Sequence, residues 1–217
     1  MSETERKLTR KPDRAVTDTE EIHQILDEGI IAHVGFIDPS ANEPVVIPVA
    51  YGRVDNRIIF HGSTGSRLMR RLDEGQPTCL TVTLLDGLVL ARSAFESSMN
   101  YRSVMVLGTA RRLEGADALD ALEVISEHLL PGRWAEIRHP SKKELAATMV
   151  LELALDECSV KIRTGDPEDL REDLEHPTFG ALWAGAVPIA ERFGEPEPSA
   201  DCAPGTAVPD YVRRWTR

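Results

Sequence analysis

The segment RIIFHGSTGSRLMRRL, residues 57–72, changes character twice along its length. It begins as an apolar run, passes through glycine, serine and threonine, and ends as a basic amphipathic stretch. This order predicts a strand, a tight loop, and a helix that begins near Ser63 to Gly65. Leu68 and Leu72 lie four residues apart and are expected to share the buried face of that helix. Arg67 and Arg71, with the same spacing, share a different face.

The loop in this segment has the chemistry of an anion site. Amide N–H groups at the start of a helix lack intrahelical partners, and the helix dipole adds partial positive charge there. Glycines allow a ligand to approach closely, hydroxyls add donors, and Arg67 adds a planar cationic fork. A phosphate cradle is therefore one interpretation, and ordinary helix capping beside solvated arginines is the other. The loop is not a Walker A loop, since the GK[ST] ending is missing, and it is not GxGxxG.

Short runs rich in Val, Ile, Leu and Thr surround this segment. They are IIAHVGF, VVIPVAYG, RIIFHG, TCLTVTLL, LVLARS, YRSVMVLGTARRL, TMVLELAL and CSVKIRT. Turn residues separate several of them, as at Asp38-Pro39 and Asp86-Gly87. Helices are predicted in VTDTEEIHQILDEG and ADALDALEVISEHLL. Closely spaced strands with few helices between them predict a mainly β (α+β) fold, an antiparallel barrel of about six strands with flanking helices.

The chain divides into three parts by composition. Residues 1–16 are polar and predict a flexible N-terminal arm, and residues 17–164 form the predicted barrel domain. Residues 165–217 begin acidic and continue rich in proline and aromatic residues, including Trp183, Tyr211 and Trp215. Because such rings are costly to leave in water, this C-terminal extension is expected to pack on the barrel or on a partner subunit.

Composition argues against several classes of function. A formal net charge of −11 disfavours nucleic acids and anionic membranes as partners. No apolar run approaches the ~18 residues of a membrane span, and the polar first residues predict no signal peptide. The 3 cysteines form no CxxC pair and the 6 histidines show no HxxxH or HExxH spacing, so no disulfide framework and no metal site are predicted. We expect a cytoplasmic protein.

Four segments together resemble a known family. IPVAYG, IIFHGSTGSRLMRRL, SSMNYRSVMVLGTARRL and LWAGAVPI are similar, in this order, to segments of the pyridoxamine-5′-phosphate-oxidase-like flavoproteins, in the branch that includes the nitroimidazole-resistance reductases. The resemblance runs from about Thr17 to the C-terminus. It implies a split β-barrel that forms a homodimer, with FMN bound at two sites between the subunits. It also implies that the Gly/Ser/Arg loop is the clamp for the FMN 5′-phosphate.

The resemblance implies which residues of the loop bind the phosphate. Ser66 and Arg67 match the Ser-Arg pair of the family's clamp, and Ser63 belongs to the same loop. The oxidases proper follow that pair with lysine, whereas this chain has Leu68. One cationic contact is therefore missing, and Arg70 and Arg71 are the alternatives for replacing it.

The resemblance also implies residues beside the flavin ring. Those on the strands that flank the ring are Pro48, Val49, Tyr51, Phe60 and His61. Those that approach from later segments, some of them from the partner chain, are Asn100, Arg102, Ser103 and Trp183. His61 is in addition the candidate proton donor to the flavin.

An FMN-dependent oxidoreductase is the function that the resemblance implies. The flavin would carry the redox chemistry, and NAD(P)H would dock directly over it because the chain has no GxGxxG fingerprint. The chain ends in YVRRWTR and lacks the Arg-Leu-x-Pro signature of the oxidases proper, so the expected substrate is another small electrophile, such as a quinone or a nitro compound. The alternative is a non-catalytic carrier of FMN or of another planar cofactor, a deazaflavin or haem. Haem would need an axial ligand, for which His61 is the histidine near the predicted site.

Overall fold

A computed structural model describes residues 15–16 and 18–215. The predicted flexible arm, residues 1–16, thus lies outside the described residues except for Ala15–Val16. The described chain forms two compact units. The major unit comprises the described residues within Ile30–Thr81, Val106–Glu157 and Arg192–Arg217. The minor unit comprises those within Met1–Gly29, Val82–Met105 and Cys158–Glu191.

The described residues form ten strands, six α-helices and one 3₁₀ turn. The strands are β1 (Ala15–Val16), β2 (Ile31–Asp38), β3 (Glu43–Val54), β4 (Arg57–Ser63), β5 (Thr78–Leu90), β6 (Ser98–Gly108), β7 (Arg111–Leu113), β8 (Thr148–Ala154), β9 (Cys158–Arg163) and β10 (Gly185–Pro188). The helices are α1 (Thr19–Glu28), α2 (Arg67–Asp73), α3 (Gly115–Leu129), α4 (Lys142–Ala147), α5 (Arg171–Glu175) and α6 (Asp210–Arg213), with a 3₁₀ turn at Trp134–Glu136.

The major unit is an antiparallel sheet in the order β5–β2–β3–β4–β8–β7. Its register places His33 opposite Pro48 on one side and Thr81 on the other. In β2, buried and exposed side chains alternate, as the period of two in a half-buried strand requires. Ala32 and Val34 point into the core, whereas Ile31 and His33 point outward.

Helix α3 packs on the outward face of this sheet, the face that carries Gly52 of β3 and Ile59 of β4. Its buried residues Ala121, Leu122 and Ile125 pack in one cluster with Ile59, Val150 and Trp134. The approach is close at Gly52 of β3, where an added Cβ would lie 3.0 Å from a methyl carbon of Val124. A larger residue at that position would push the helix away from the sheet.

Helix α2 confirms the predicted helix but begins later than expected. Ser66 is its N-cap, and Leu68 and Leu72 are buried on one face, as their spacing predicts. The predicted start, Ser63 to Gly65, is wrong because these residues form a turn in which Ser66 N–H donates to Ser63 O at 2.9 Å. The Ser63 hydroxyl also accepts from Gly65 N–H at 3.1 Å, and this local bonding competes with helix formation.

The minor unit is built on the strand order β1–β9–β6–β5–β10. Helix α1 begins after the N-cap Asp18, whose carboxylate accepts from Glu20 N–H at 3.0 Å, and it buries Ile22, Ile25 and Leu26. Strand β10 of the C-terminal extension pairs antiparallel with β5 over Gly185–Pro188. Within the described residues no helix is long and apolar enough to span a membrane.

The extension makes polar contacts within each unit. In the minor unit Asp169 accepts from the backbone N–H of Arg92 at 2.7 Å and from its Nη1 at 2.6 Å. In the major unit the Tyr211 hydroxyl donates to Glu136 Oε2 at 2.6 Å. Trp183, by contrast, remains 68% exposed. Polar bonds therefore anchor the extension to its own chain, while Trp183 stays mostly exposed to solvent.

Candidate functional site

Where the loop after β4 meets α2, a hydroxyl with no hydrogen bond to the described residues lies next to an exposed guanidinium. Ser66 is the N-cap of α2, yet its side chain makes no capping hydrogen bond. The side chain of Arg67, the next residue, is 60% exposed. Thr64 fixes the loop, since its backbone N–H donates to Ala147 O at 3.0 Å and its hydroxyl donates to the same oxygen at 3.3 Å. Ser66 and Arg67 are thus held on a fixed loop with donors left for a ligand.

A buried carboxylate lies beneath this loop. Asp38, at the end of β2, is 0% exposed. Its Oδ1 accepts from the Ser40 N–H at 3.1 Å and from the Ser40 hydroxyl at 2.8 Å. Its Oδ2 lies 3.2 Å from Nη1 of Arg67, and its Oδ1 lies 3.6 Å from Nε of Arg71. The hydrogen bonds from Ser40, and then the two guanidinium groups, lower the pKa of Asp38.

Asp38 is a site residue that the sequence interpretation missed. Its signal there was the Asp38-Pro39 turn, which indicates a change of chain direction but no charge partner. Its partners are Arg67 and Arg71 of α2, and that pairing exists only once β2 and α2 are packed together.

The other two arginines of α2, Arg70 and Arg71, differ in whether a carboxylate already binds them. Arg71 is bound by Glu74, whose Oε2 accepts from Nη1 at 2.9 Å, and this hydrogen bond is the main cause of the raised pKa of Arg71. Arg70 is exposed, and within the part of the chain that the structure describes it makes no ion pair. Of the two alternatives for the missing clamp lysine, Arg71 is already engaged and Arg70 is not.

Strands β3 and β4 place the predicted ring-side residues on two opposite faces. Tyr51 lies opposite Phe60 in the register, and both are 0% exposed. The Tyr51 ring packs at 4.9 Å from the ring of His128, so its side chain belongs to the core. Because side chains alternate along a strand, Pro48 and His61 lie on the opposite, outward face, while Val49 is half-buried on the inner one.

His61 is exposed, yet the surrounding protein partly desolvates its ring. This desolvation lowers the pKa of His61 below its ordinary value of 6.5. The imidazole is therefore neutral at pH 7, with one ring nitrogen able to accept a hydrogen bond and the other able to donate one.

The remaining predicted residues lie in the minor unit, where most are bonded within their own chain. Arg102 donates to the carboxylates of Glu28 and Asp86, and these hydrogen bonds, first those to Glu28, raise the pKa of Arg102. The Ser103 hydroxyl donates to Val82 O at 3.1 Å. Asn100 donates to Gly165 O at 3.1 Å. A cofactor role for these residues stays a prediction, and each already has a structural one.

Metal ligation has no support in the described residues. They contain no group of three or more His, Cys, Asp and Glu side chains placed to hold an ion.

The antiparallel sheet followed by a Ser-Arg loop is the arrangement expected of the split-barrel flavoproteins. Residues 18–162 match the family described as "Pyridoxamine 5'-phosphate oxidase", and the chain belongs to that family. A search of curated proteins finds no match.

Two solved structures are similar over nearly the whole chain. The FAD and heme binding protein from Mycobacterium smegmatis is 39% identical, with a TM-score of 0.86 over 92% of this chain and 96% of that one. The flavocytochrome Anf3 from Azotobacter vinelandii is 38% identical, with a TM-score of 0.87 over 94% of this chain and 93% of that one. These similarities confirm the predicted split-barrel fold class, and with the family they support a flavin as the class of cofactor.

A more distant structure agrees in fold. A protein from Bacteroides thetaiotaomicron assigned to 5-nitroimidazole antibiotic resistance is 21% identical, with a TM-score of 0.57 over 68% of this chain and 86% of that one. At this identity the similarity shows the fold alone.

The loop residues fit the phosphate end of a flavin. A guanidinium and a hydroxyl are the donor types that bind phosphate oxygens, and Ser66 and Arg67 supply one of each on adjacent positions. The buried carboxylate of Asp38 contacts one nitrogen of the Arg67 fork, which leaves its other N–H groups for a ligand.

Proposed function

We propose that this protein is a flavin-dependent oxidoreductase in which Ser66 and Arg67, with Ser63 in the same loop, hold the flavin phosphate. The observation that carries the proposal is the exposed Arg67 guanidinium beside the uncommitted Ser66 hydroxyl, in a chain that belongs to the family. The bound flavin would supply hydride and electron chemistry, and the protein would bind and orient the flavin.

The chain's own residues have distinct roles in this proposal. Arg67 and Ser66 neutralise and hydrogen-bond the phosphate, which fixes one end of the cofactor. Pro48 and His61, on the outward face, lie beside the ring. The neutral imidazole of His61 accepts a proton at one ring nitrogen while donating from the other, which suits a group that moves a proton next to a flavin.

FMN is the flavin we propose, with FAD as the comparison. The loop offers one exposed guanidinium toward a ligand, and Arg70 lies one helical turn further along. That supply of charge suits the single phosphate of FMN. The Mycobacterium smegmatis relative is described as binding FAD, so the test includes both flavins.

NAD(P)H is the electron donor we propose, and a small electrophile the acceptor, in the cytoplasm. Absence of a GxGxxG fingerprint in the sequence means that the nicotinamide must dock over the flavin itself. A homodimer is part of the proposal. Its support is the outward face of β2 and β3, where Ile31, Ile37 and Val46 are 51%, 46% and 64% exposed. Apolar side chains at neighbouring strand positions are typical of a surface that a second subunit covers.

Haem binding is a second candidate function, because both similar proteins are described as a haem protein or a flavocytochrome. His61 is the axial ligand we propose, since its neutral imidazole is the ligating form. His176 is disfavoured. Its Nδ1 accepts from the N–H groups of Thr178 and Phe179 at 3.1 and 3.2 Å, which places the ring proton on Nε2. Neither ring nitrogen then has a free lone pair for iron. On this alternative the protein could carry its cofactors without turnover.

Absorption of the purified protein tests both candidates. A band at about 450 nm supports a flavin, and a Soret band at about 400 nm supports haem. Stopped-flow mixing with NADH and NADPH then separates an enzyme, whose flavin band bleaches and recovers with an acceptor, from a carrier. A protein that takes up neither chromophore when supplied with FMN, FAD and haem would contradict the proposal.

A further inference from the structure

Asp38 lies beside the proposed phosphate site and contacts one of its residues, Arg67. We propose that Asp38 is a positioning residue: its buried carboxylate holds the Arg67 guanidinium in the orientation that receives the flavin phosphate. Asp38 itself would not touch the ligand. The inference rests on the proposed function, since it assigns a role toward the same phosphate.

The carboxylate of Asp38 is itself fixed from both sides. Two hydrogen bonds from Ser40 hold Oδ1, at 2.8 and 3.1 Å. Oδ2 makes no hydrogen bond within the described chain, and its contact is the ionic one with Nη1 of Arg67 at 3.2 Å. A buried charge in this state depends on its cationic partner, because removal of that partner would leave the charge uncompensated.

Arg67 joins the buried carboxylate to the exposed loop surface. The side chain of Asp38 is 1% exposed and that of Arg67 is 60% exposed, so the guanidinium lies on the solvent side of the pair. One nitrogen of the planar fork faces Asp38, and the remaining N–H groups stay available to an anion. An arginine side chain without such a contact would sample many rotamers, and binding would have to order it.

Asp38 also acts on Arg71, but that residue is anchored differently. Arg71 lies 3.6 Å from Asp38 and 2.9 Å from Glu74, with its side chain 29% exposed. It is shared between two carboxylates and presents less surface to a ligand than Arg67 does. The cluster therefore assigns Arg67 to the phosphate and Arg71 to the support of Asp38.

Asp38 has a second, opposing effect on the phosphate, namely repulsion by its negative charge. Because the carboxylate is buried beneath Arg67 and is shared with Arg71, an incoming phosphate meets the guanidinium first. We therefore expect the orienting effect to exceed the repulsion. If Asp38 acted mainly as a competitor for Arg67, its neutralisation would tighten FMN binding.

The experiment compares Asp38→Asn with Glu152→Gln in the full-length protein. Glu152 is the matched control: it too is a buried carboxylate held by two arginines, with Arg57 Nη1 at 3.0 Å and Arg111 Nη2 at 2.6 Å, but it lies on β8, opposite Ile59. The flavin-free wild type and both variants are titrated with FMN and with riboflavin, and flavin fluorescence reports binding. Melting temperatures measure the structural cost of each change.

We expect both variants to melt earlier, and only Asp38→Asn to weaken FMN, by about three- to tenfold, with riboflavin unchanged. Unchanged or tighter FMN binding in Asp38→Asn, or an equal loss in Glu152→Gln, would overturn the inference. If the wild type itself does not distinguish FMN from riboflavin, the proposed phosphate clamp fails before Asp38 is in question.

A second variant covers the case in which Asp38→Asn does not fold. Asp38→Glu keeps the charge but moves the carboxylate by one methylene, so the Arg67 orientation changes while the buried ion pair is retained. The same selective weakening of FMN is expected, and its absence would likewise overturn the inference.

Discussion

The guanidinium of Arg102 donates three hydrogen bonds to the carboxylate of Asp86, from Nε at 3.0 and 3.3 Å and from Nη2 at 2.7 Å. The same guanidinium donates to Glu28, with Nη2 at 2.8 Å from Oε1. One arginine of β6 therefore joins the end of α1 to strand β5. Arg102 therefore has a structural role in addition to the cofactor role that the sequence predicts.

Arg102→Ala should destabilise the protein by about 1–2 kcal/mol, because Glu28 and Asp86 lose their shared partner, and the side chains of Arg102 and Asp86 are only 26% and 31% exposed. Thermal unfolding measures this as a melting temperature lower by a few degrees. Arg138→Ala is the control, since Arg138 and Glu144 form an exposed pair with side chains 71% and 51% accessible. The structural role of Arg102 would be refuted by equal melting temperatures for the two variants.

Truncation after Thr164 should lower the melting temperature and expose apolar surface. It removes β10 from the edge of β5 and takes Asp169 away from Arg92. Trp183→Ala is the comparison, and we expect its effect on stability to stay within about 0.5 kcal/mol because the ring is 68% exposed. Full-length and truncated proteins are compared by thermal unfolding and by a dye that binds apolar surface. Indistinguishable curves would mean that the extension is a passive appendage.

His61→Gln should reduce the pH dependence of stability between pH 7.5 and 5.5. The folded pKa of His61 lies below the unfolded value of 6.5, so the folded state takes up its proton less readily. The stability due to the neutral ring is therefore fully present above pH 6.5 and decreases as the pH falls through that value. Urea unfolding of the flavin-free protein at both pH values measures the difference. A pH dependence as steep in the variant as in the wild type would contradict the desolvated environment.

Val46→Glu should convert the proposed dimer to a folded monomer. Val46 lies opposite Gly35 on the outward face of the sheet and is 64% exposed, so a charge there is harmless in a monomer and unfavourable beneath a second subunit. Light scattering measures the mass and circular dichroism the fold. Ala41→Glu, an exposed position in the turn between β2 and β3, is the control and should stay dimeric. A wild-type monomer, or a dimeric Val46→Glu variant, would remove this face from the interface.

The sequence predicted the features that depend on local pattern. Strand alternation in β2 and the apolar spacing of Leu68 and Leu72 follow from the periods of strand and helix, and the structure has both. The helix start was wrong because the Ser63 turn competes with helical bonding, and both outcomes draw on the same residue types.

The charge partners could not be predicted in the same way. Asp38 pairs with Arg67, and Arg102 pairs with Glu28, across separations that only the packed chain brings together. The burial of a given side chain could not be predicted from the motif either. The resemblance places Tyr51 beside the flavin ring, whereas in the structure its side chain is buried next to His128. Motif resemblance can identify the strand, whereas the face on which a residue lies depends on register.

The binding of FMN and riboflavin to flavin-free wild type and Arg67→Ala tests the central claim most directly. An Arg–phosphate contact contributes about 2–3 kcal/mol, so FMN affinity should fall roughly 30- to 150-fold in the variant. Riboflavin has no phosphate, and its affinity should hardly change. Equal losses for both ligands, or no loss for FMN, would contradict the assignment of Arg67 to the flavin phosphate.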